Sequence, residues 1–537
     1  MSSQNFGMKN YMKGALLLTM AALIVKVLSA VYRVPFQNLV GDQGFYVYQQ
    51  VYPFIAIFVT WTTGGVAVAI SKILANYDIE TSEGISKRRA ILTIIFGYLT
   101  GLSLIFFALL YFGAPVLAHW MADDGLIMPL KVGAFVTLCM PVLALTKGSF
   151  QSRGLMAPVA YTQVFEQTIR VSVILIGTII IMSTTKSIYS AGTMAIFGSV
   201  IGEIAAVSLL LYFMSKQTLL APIQKIKFPK WPIIKELTIF SLSVSMSSLL
   251  LLAFQLVDSF TIFPMLVEAG MPFEEAQVIK GIYDRGQPLV QLGLVIASSL
   301  ALAIVPLVAY KSAKNSGRGA MPFVQLTYRA TLLFAVAAAI GLVLVMPYVN
   351  EALFKSPVLS DVLRLYSLQI IPLSLILTMT AILQGYSKLL VPALLLGTSL
   401  ILKVIGNVLL IPLLSVEGVA LTSLFSLLIC ALGLVLYLRY YLQTTLASKK
   451  YYIHLGFATI MMCLTVMLGK MVLQWIAVMD YSPRIQAVVY SAVLIVLGAF
   501  TFITVVAKFR VLKEKEWFLI PLGRRMAAYQ LWLNRKK

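Results

Sequence analysis

Charge is scarce in this chain. Only 12% of its 537 residues are Asp, Glu, Lys or Arg, against about a quarter in ordinary soluble domains. Histidine occurs only at His119 and His454, and cysteine only at Cys139, Cys430 and Cys463, all three inside apolar runs. That pattern gives no disulfide framework and no clustered metal ligands, so no metal site is expected. The chain lacks a Gly-x-x-x-x-Gly-Lys-Ser/Thr phosphate loop, a His-Glu-x-x-His pair and a Cys-x-x-Cys pair, which removes the familiar nucleotide-driven and zinc-dependent chemistries. Long external segments that could house a catalytic domain are also missing. What is there is hydrocarbon: 60% of residues are hydrophobic and the mean hydropathy is +0.92. A chain this apolar cannot cover itself with polar surface, so its solvent is a bilayer.

Apolar runs fall at 12–34, 44–75, 89–112, 127–147, 158–183, 188–214, 236–266, 282–310, 321–347, 360–384, 390–413, 416–440, 452–478 and 486–508. Each is 21–32 residues long, enough to span a hydrocarbon core that needs about 20. Runs such as Ile174–Ile181 do not alternate in polarity, which excludes a β-barrel. The sequence therefore predicts an all-α polytopic membrane protein with about 14 transmembrane helices.

A net charge of +22 would suit nucleic acid if the cations formed one patch. They are instead distributed among the connections, so no nucleic-acid partner is expected. Alternate connections carry Lys87-Arg88-Arg89, Lys147 with Arg153, Lys216 through Lys235, Lys311 with Lys314 and Arg318, Lys388, and Lys449-Lys450. The intervening ones carry Asp42, Asp123-Asp124, Glu268 with Glu274-Glu275, Glu351, Glu417 and Asp480. Lys/Arg-rich short loops stay cytoplasmic. With Lys9 and Lys13 ahead of the first run and Arg510 through Lys537 after the last, both termini are predicted cytoplasmic.

Offsetting the chain by about 233 residues aligns Gly64–Ile70 with Ser298–Ile304, Gln151 with Gln384, Pro158 with Pro392, and Arg170-Val171 with Lys403-Val404. The pattern predicts two pseudo-symmetric six-helix lobes in parallel orientation, at 1–215 and 236–441. A basic linker at 216–235, containing Pro222, Pro229 and Pro232, joins them. Two further helices occupy 442–508. The remainder, 509–537, mixes Trp517, Phe518, Leu519, Ile520, Tyr529, Leu531 and Trp532 with Arg524, Arg525, Arg535, Lys536 and Lys537. That is the pattern of an interfacial amphipathic tail against anionic lipids.

Ionisable residues within spans are costly, at about 2.5–3.5 kcal/mol each on insertion scales, and so mark cavities or partners. Lys26 and Arg33 are seven apart, hence on one helix face, and two cations there suit an anion such as phosphate. Arg33 is equally placed to snorkel to the outer interface ahead of Pro35. Asp258 lies deep in the seventh run, fit for a coupling cation or for neutralising Lys26. Asp284-Arg285 opens the eighth run amid Gly281, Gly286 and Pro288, with Asp284 placed to fix the arginine or simply to pair with it at the surface. Glu166 and Arg170, four apart, read as a structural ion pair. Glu203 has no partner near it in sequence. Tyr46, Tyr48, Gln49, Gln50 and Tyr52 give the second helix a polar, aromatic start that suits either a membrane-interface belt or sugar hydroxyls.

The stretches Lys13-Gly14-Ala15 and Ser29 through Phe36, Gly44-Phe45-Tyr46 with Tyr48 through Pro53, and Gly281 through Gln291 resemble bacterial polysaccharide-biosynthesis membrane proteins. They are similar to the stage V sporulation protein B-like branch of the multidrug/oligosaccharidyl-lipid/polysaccharide exporter superfamily. The resemblance covers nearly the whole chain. It implies 14 helices in two six-helix lobes plus two C-terminal helices, and translocation of undecaprenyl-pyrophosphate-linked sugars from the inner to the outer leaflet. It also implies that cations in helices one, two, seven and eight matter, as in related lipid II flippases. Arg33 and Arg285 match such positions, and Lys26 stands where an arginine could have stood. The second helix departs from that pattern, with no arginine between Gln50 and Lys72.

The expectation is then a secondary flippase that works by alternating access, not an enzyme, with Lys26, Arg33 and Arg285 neutralising the pyrophosphate. No cofactor is expected beyond a coupling ion, sodium or proton. Asp258, Asp284, Glu203, Gln49 and Gln50 are coupling or cavity candidates. A multidrug/cation antiporter, a membrane-embedded glycosyltransferase or ligase, and a scaffold are the alternatives. Drug efflux depending on Asp258 or Glu203, or sugar transfer by pure protein, would mark the first two.

Overall fold

The computed structural model describes residues 2–77, 81–216, 228–314, 318–476, 482–518 and 523–535, with side chains from Leu17 onward except at 247, 302–303, 306, 309–318 and 476. Pro222, Lys225, Lys227, Asp480, Leu519, Ile520, Lys536 and Lys537 lie outside the described residues, as do the side chains of Lys9, Lys13, Lys311, Lys314 and Arg318. Among the described residues all regular structure is helical. The chain divides into two compact units, Met1–Asp284 and Arg285–Lys537. This partition by compactness differs from the partition by repeat, and each unit is described on its own.

The first unit contains α1 (Ser2–Val31), α2 (Arg33–Thr60), a π-helical turn Trp61–Val66, α3 (Ala67–Ala75), α4 (Ser82–Trp120), α5 (Ile127–Leu138) and α6 (Met140–Ser152). It continues with α7 (Met156–Thr184), α8 (Ile188–Ser215), α9 (Lys230–Glu268) and α10 (Phe273–Asp284). The predicted linker is thus shorter than the basic stretch: α9 begins at Lys230, because Pro229 and Pro232 fit a first turn, where no intrahelical N–H bond is needed. The second unit holds α11 (Gly286–Gly293), α12 (Val295–Lys314), α13 (Met321–Phe354), α14 (Ser360–Leu368) and α15 (Ile370–Gly385). After these come α16 (Leu390–Leu442), α17 (Lys449–Ile476), α18 (Pro483–Lys508), α19 (Glu514–Trp517) and α20 (Gly523–Asn534).

Eleven stretches among the described residues are long and apolar enough to cross a bilayer. Two of them are too long to cross once. Leu17–Ala75 has 59 residues and Leu390–Leu442 has 53, or roughly 80–90 Å of helix at 1.5 Å per residue, against a core of about 30 Å. Each is interrupted by one residue of left-handed backbone, Gly41 (φ 69°) and Ser415 (φ 52°). Counting each as two spans, and adding the α10–α12 stretch, is consistent with fourteen.

Packing follows from small and apolar stripes, not from a polar exterior. On α4 the buried side chains Ile91, Ile95, Leu99, Ser103, Leu110, Ala114 and Ala118 recur every three to seven residues, while Leu104, Ile105, Leu109 and Phe112 are exposed. An apolar outer face is what lipid tails require. Thr81 caps α4, accepting from the Gly84 N–H at 3.1 Å.

The C-terminal tail differs from expectation at one aromatic. Trp517, read from sequence with the interfacial set, is 2% exposed, and its indole donates to Gln530 Oε1 at 2.8 Å. An amphipathic pattern does not say which aromatic turns inward. Arg329 of α13 pairs with Glu516 at 2.5 Å, and Asn534 donates to the Ala507 carbonyl at 3.2 Å, so the tail is docked on the second unit. Phe518 and Trp532, by contrast, are exposed. Trp517→Ala should cost about 3–5 kcal/mol, the usual price of deleting a buried large aromatic. Limited trypsinolysis at Lys513 and Lys515 should quicken accordingly, while Trp532→Ala should leave the cleavage rate unchanged.

Candidate functional site

The first candidate pair lies on one uninterrupted helix. Tyr32 donates to the Leu28 carbonyl and Phe36 to that of Tyr32, each at 3.1 Å, so α1 runs into α2 and bends away only at Gly41. Lys26 and Arg33 share a face of this helix but not an environment. Lys26 is exposed; Arg33 is 0% exposed. The guanidinium of Arg33 lies 4.7 Å from the centroid of the Tyr52 ring, beside the Tyr32–Tyr48 hydroxyl pair. Arg33 therefore does not snorkel: it is held inside by the face of an aromatic ring, an attraction of roughly 2 kcal/mol when desolvated. Tyr48 is fixed in turn by Phe36 and Tyr52, with ring centroids 5.3 and 5.5 Å away.

Arg33 belongs to a larger group of charges. Lys280 of α10 contacts both carboxylate oxygens of Asp284, at 2.7 and 2.6 Å, and both residues are almost fully buried. Asp284 also interacts electrostatically with Asp258 and with Arg33. Two bases and two acids balance. The sequence placed Asp284 with its neighbour Arg285; the structure gives its carboxylate to Lys280, one helical turn back. Lys280 was missed, although its four-residue spacing from Asp284 is the ordinary helix-pair signal.

The second helix uses its polar groups internally. Gln50 donates to the Ser259 carbonyl of α9 at 3.1 Å, and Tyr46 to Asp123 Oδ2 at 3.0 Å. Gln49 is 2% exposed. The Gln50 and Tyr46 bonds tie α2 to α9 and to Asp123. Asp123, which the sequence marked only as an outer-loop acid, is buried and also accepts from Tyr189 and Gln277. Nothing local announced that, since its partners come from three other helices.

A second charge group joins α6, α7 and α8. Arg170 Nη2 bridges Glu166 Oε1 at 3.1 Å and Glu203 Oε1 at 2.9 Å, and Lys147 Nζ lies 3.5 Å from Glu166 Oε2. Lys147 and Glu203 are each 1% exposed. The close approach that makes this possible rests on Gly198 and Gly202, one turn apart on α8. An added Cβ would stand 2.5 Å from Ile174 at the first and 3.0 Å from the Arg170 Cβ at the second. Such small-x-x-x-small stripes let helices meet closely in membranes. Glu203, without a partner in sequence, is thus paired in space, and Lys147 is a buried ion-pair member instead of a loop cation. Again two bases balance two acids.

In the second unit Arg285 donates to Asn350 Oδ1 at 2.9 Å and to the Ser356 carbonyl at 3.2 Å, with Phe354 5.3 Å beneath the guanidinium. It is 1% exposed and pins the turn between α13 and α14. The same unit has a half-open cavity of about 510 Å³ lined by Leu292, Phe334, Leu342, Leu494, Phe502 and Trp517. So apolar a space suits hydrocarbon. His119 is exposed and His454 lies beside Phe509. Among the described residues no three His, Cys, Asp or Glu side chains group as metal ligands would.

Residues 11–310 match the polysaccharide biosynthesis protein family. The chain belongs to that family. It is 34% identical over 527 residues to the uncharacterized membrane protein YabM of Bacillus subtilis (strain 168), covering 96% of each chain. It is 24% identical to the lipid II flippase MurJ of the same organism, over 77% of this chain and 79% of that one. Stage V sporulation protein B of that bacterium shares 32% identity over 37% of this chain and 38% of its own. In fold, a lipid II flippase MurJ in an inward-closed conformation superposes with a TM-score of 0.65, at 14% identity, over 92% of this chain and 99% of that chain. An inward-facing multidrug transporter of the MATE family gives 0.62 at 13% identity, over 80% and 98%. The family member described here is thus a multi-pass membrane protein with the fold common to these exporters.

Proposed function

We propose that this protein is a secondary transporter that moves undecaprenyl-pyrophosphate-linked sugar or peptidoglycan precursor from the inner to the outer leaflet by alternating access, with both termini cytoplasmic. Its relation to a named lipid II flippase supports the class. The observation that carries the substrate's charge is Lys26, an exposed cation in mid-helix of the first span. An exposed lysine at that depth is retained at a cost of about 2.5–3.5 kcal/mol unless it meets an anion. A transporter of cationic drugs would need an exposed carboxylate there. Arg33, two turns along the same face from Lys26, supplies the bidentate fork that suits pyrophosphate once the aromatic cover moves. Within the second unit, Arg285 is a further cation for such a headgroup, and the 510 Å³ cavity suits hydrocarbon.

Titration of the purified protein with undecaprenyl pyrophosphate, undecaprenol and ethidium tests this. Pyrophosphate-dependent binding, weakened roughly 10-fold in Lys26→Ala by loss of one charge-assisted contact, is the expected result. Equal binding of the neutral alcohol, or preference for ethidium, would contradict it.

A further inference from the structure

The Lys147–Glu166–Arg170–Glu203 group has a feature that ion pairing alone does not explain. Glu203 Oε1 accepts from Arg170, but Glu203 Oε2, buried, has no donor. Arg170 Nη2 holds Glu166 Oε1 and Glu203 Oε1 at 3.1 and 2.9 Å, which brings the two carboxyls together, within hydrogen-bonding range of each other. Two ionised carboxylates can only repel at such range, and an acceptor facing an acceptor leaves both desolvated. One added proton would turn the contact into an O–H···O hydrogen bond and satisfy the empty oxygen.

The surroundings restrict which groups can respond. On α8 Glu203 is the sole ionisable side chain besides Tyr189 and Tyr212, and on α7 Glu166 and Arg170 stand with Tyr161 alone. Lys147 comes from α6 and Cys139 from the α5–α6 junction. Of the other helices packed here, α5 carries Lys131, turned to the Tyr111 ring, and the described part of α1 carries Lys26. From α2 come Tyr48 and Tyr52, which interact electrostatically with Arg170 and also with Arg33. These two tyrosines therefore lie within electrostatic range of both charge groups of the first unit, and Arg33 is stacked on one of them.

We propose that Glu203 is a proton-binding site, sharing its proton with Glu166, and that its state is passed to Arg33 through Tyr48 and Tyr52. A proton from the aqueous phase adds to the carboxylate, no other bond changes, and the group goes from neutral to one net positive charge. The coupling half of this proposal rests on the flippase function above; the proton site does not.

Infrared difference spectra of the full-length protein in nanodiscs, taken between about pH 8 and about pH 6, test the site. Ordinary carboxylates, with pKa about 4.3, stay ionised over that range. A protonated-carboxyl C=O band should appear in wild type, vanish in Glu203→Gln and return in Glu203→Asp. A wild type without the band, or a Glu203→Gln variant that keeps it, would overturn the site. In liposomes, flipping by wild type should change up to about tenfold per pH unit, the limit for one titrating group, and Glu203→Gln should be flat. Tyr52→Leu should keep the infrared band yet lose the pH dependence of flipping, which separates coupling from structure. A Tyr52→Leu variant with the wild-type pH profile would overturn the relay. If the band behaves as expected and no protein flips, the proton site stands and the flippase function fails.

Discussion

Arg170→Leu should destabilise the protein by about 3–5 kcal/mol, the effect of removing one member of a buried ion network. The arginine holds Glu166 and Glu203 from one guanidinium nitrogen. Without it Lys147 remains on Glu166, 3.5 Å away, and buried Glu203 keeps its charge only at a desolvation cost, or else takes up a proton. The loss should be partly repaired in the double variant Arg170→Leu/Glu203→Gln, which removes the stranded charge with its partner. A double-mutant cycle on unfolding in mixed micelles would read a coupling of about 1–3 kcal/mol between the two positions. Additive effects, within about 0.5 kcal/mol, would mean that the pair seen here does not exist in the folded protein.

Arg33→Lys should be the most informative change in the first helix. A lysine preserves the positive charge that acts on Asp284, and it can still lie over the Tyr52 ring. It loses the planar fork that grips two oxygens at once. Stability should therefore stay close to wild type, while transport falls roughly 10- to 100-fold, the range for a charge-assisted hydrogen bond worth about 1.5–3 kcal/mol. Arg33→Ala should lose transport as well, but it also strands buried acid and so folds poorly. Full transport by Arg33→Lys would assign this side chain to packing alone.

The fold was legible because a bilayer asks for so little: runs of about 20 apolar residues, polar punctuation and basic loops on alternate connections. Lys26 and Arg33 on one face, and Glu166 with Arg170 one turn apart, follow from helix geometry and needed no tertiary knowledge. Glu203 could not be paired from sequence, since its partner Arg170 is 33 residues away on another helix. The Gly198–Gly202 stripe beside it was the available signal, because it marks where α8 meets a neighbour closely. Lys147 sat at the end of an apolar run and was therefore read as a loop cation; the close seating of α3 and α7 on α6 covers it. Asp284 was assigned to the adjacent arginine, although on a helix neighbours in sequence point apart and Lys280 lies on the same face. The environment of Arg33 was not legible at all: its aromatic cover depends on how the chain bends at Gly41, which brings Tyr48 and Tyr52 to the segment that carries Arg33.

The most direct measurement is the sidedness of lipid-linked sugar precursors in cells depleted of this protein and of redundant flippases. Wild type, Lys26→Ala and Arg33→Lys would be re-expressed at equal membrane abundance, and outer-leaflet precursor labelled with an impermeant reagent. Wild type should restore labelling, and both variants should leave most precursor inside. Precursor that stays inside despite abundant wild-type protein would contradict the flippase function itself.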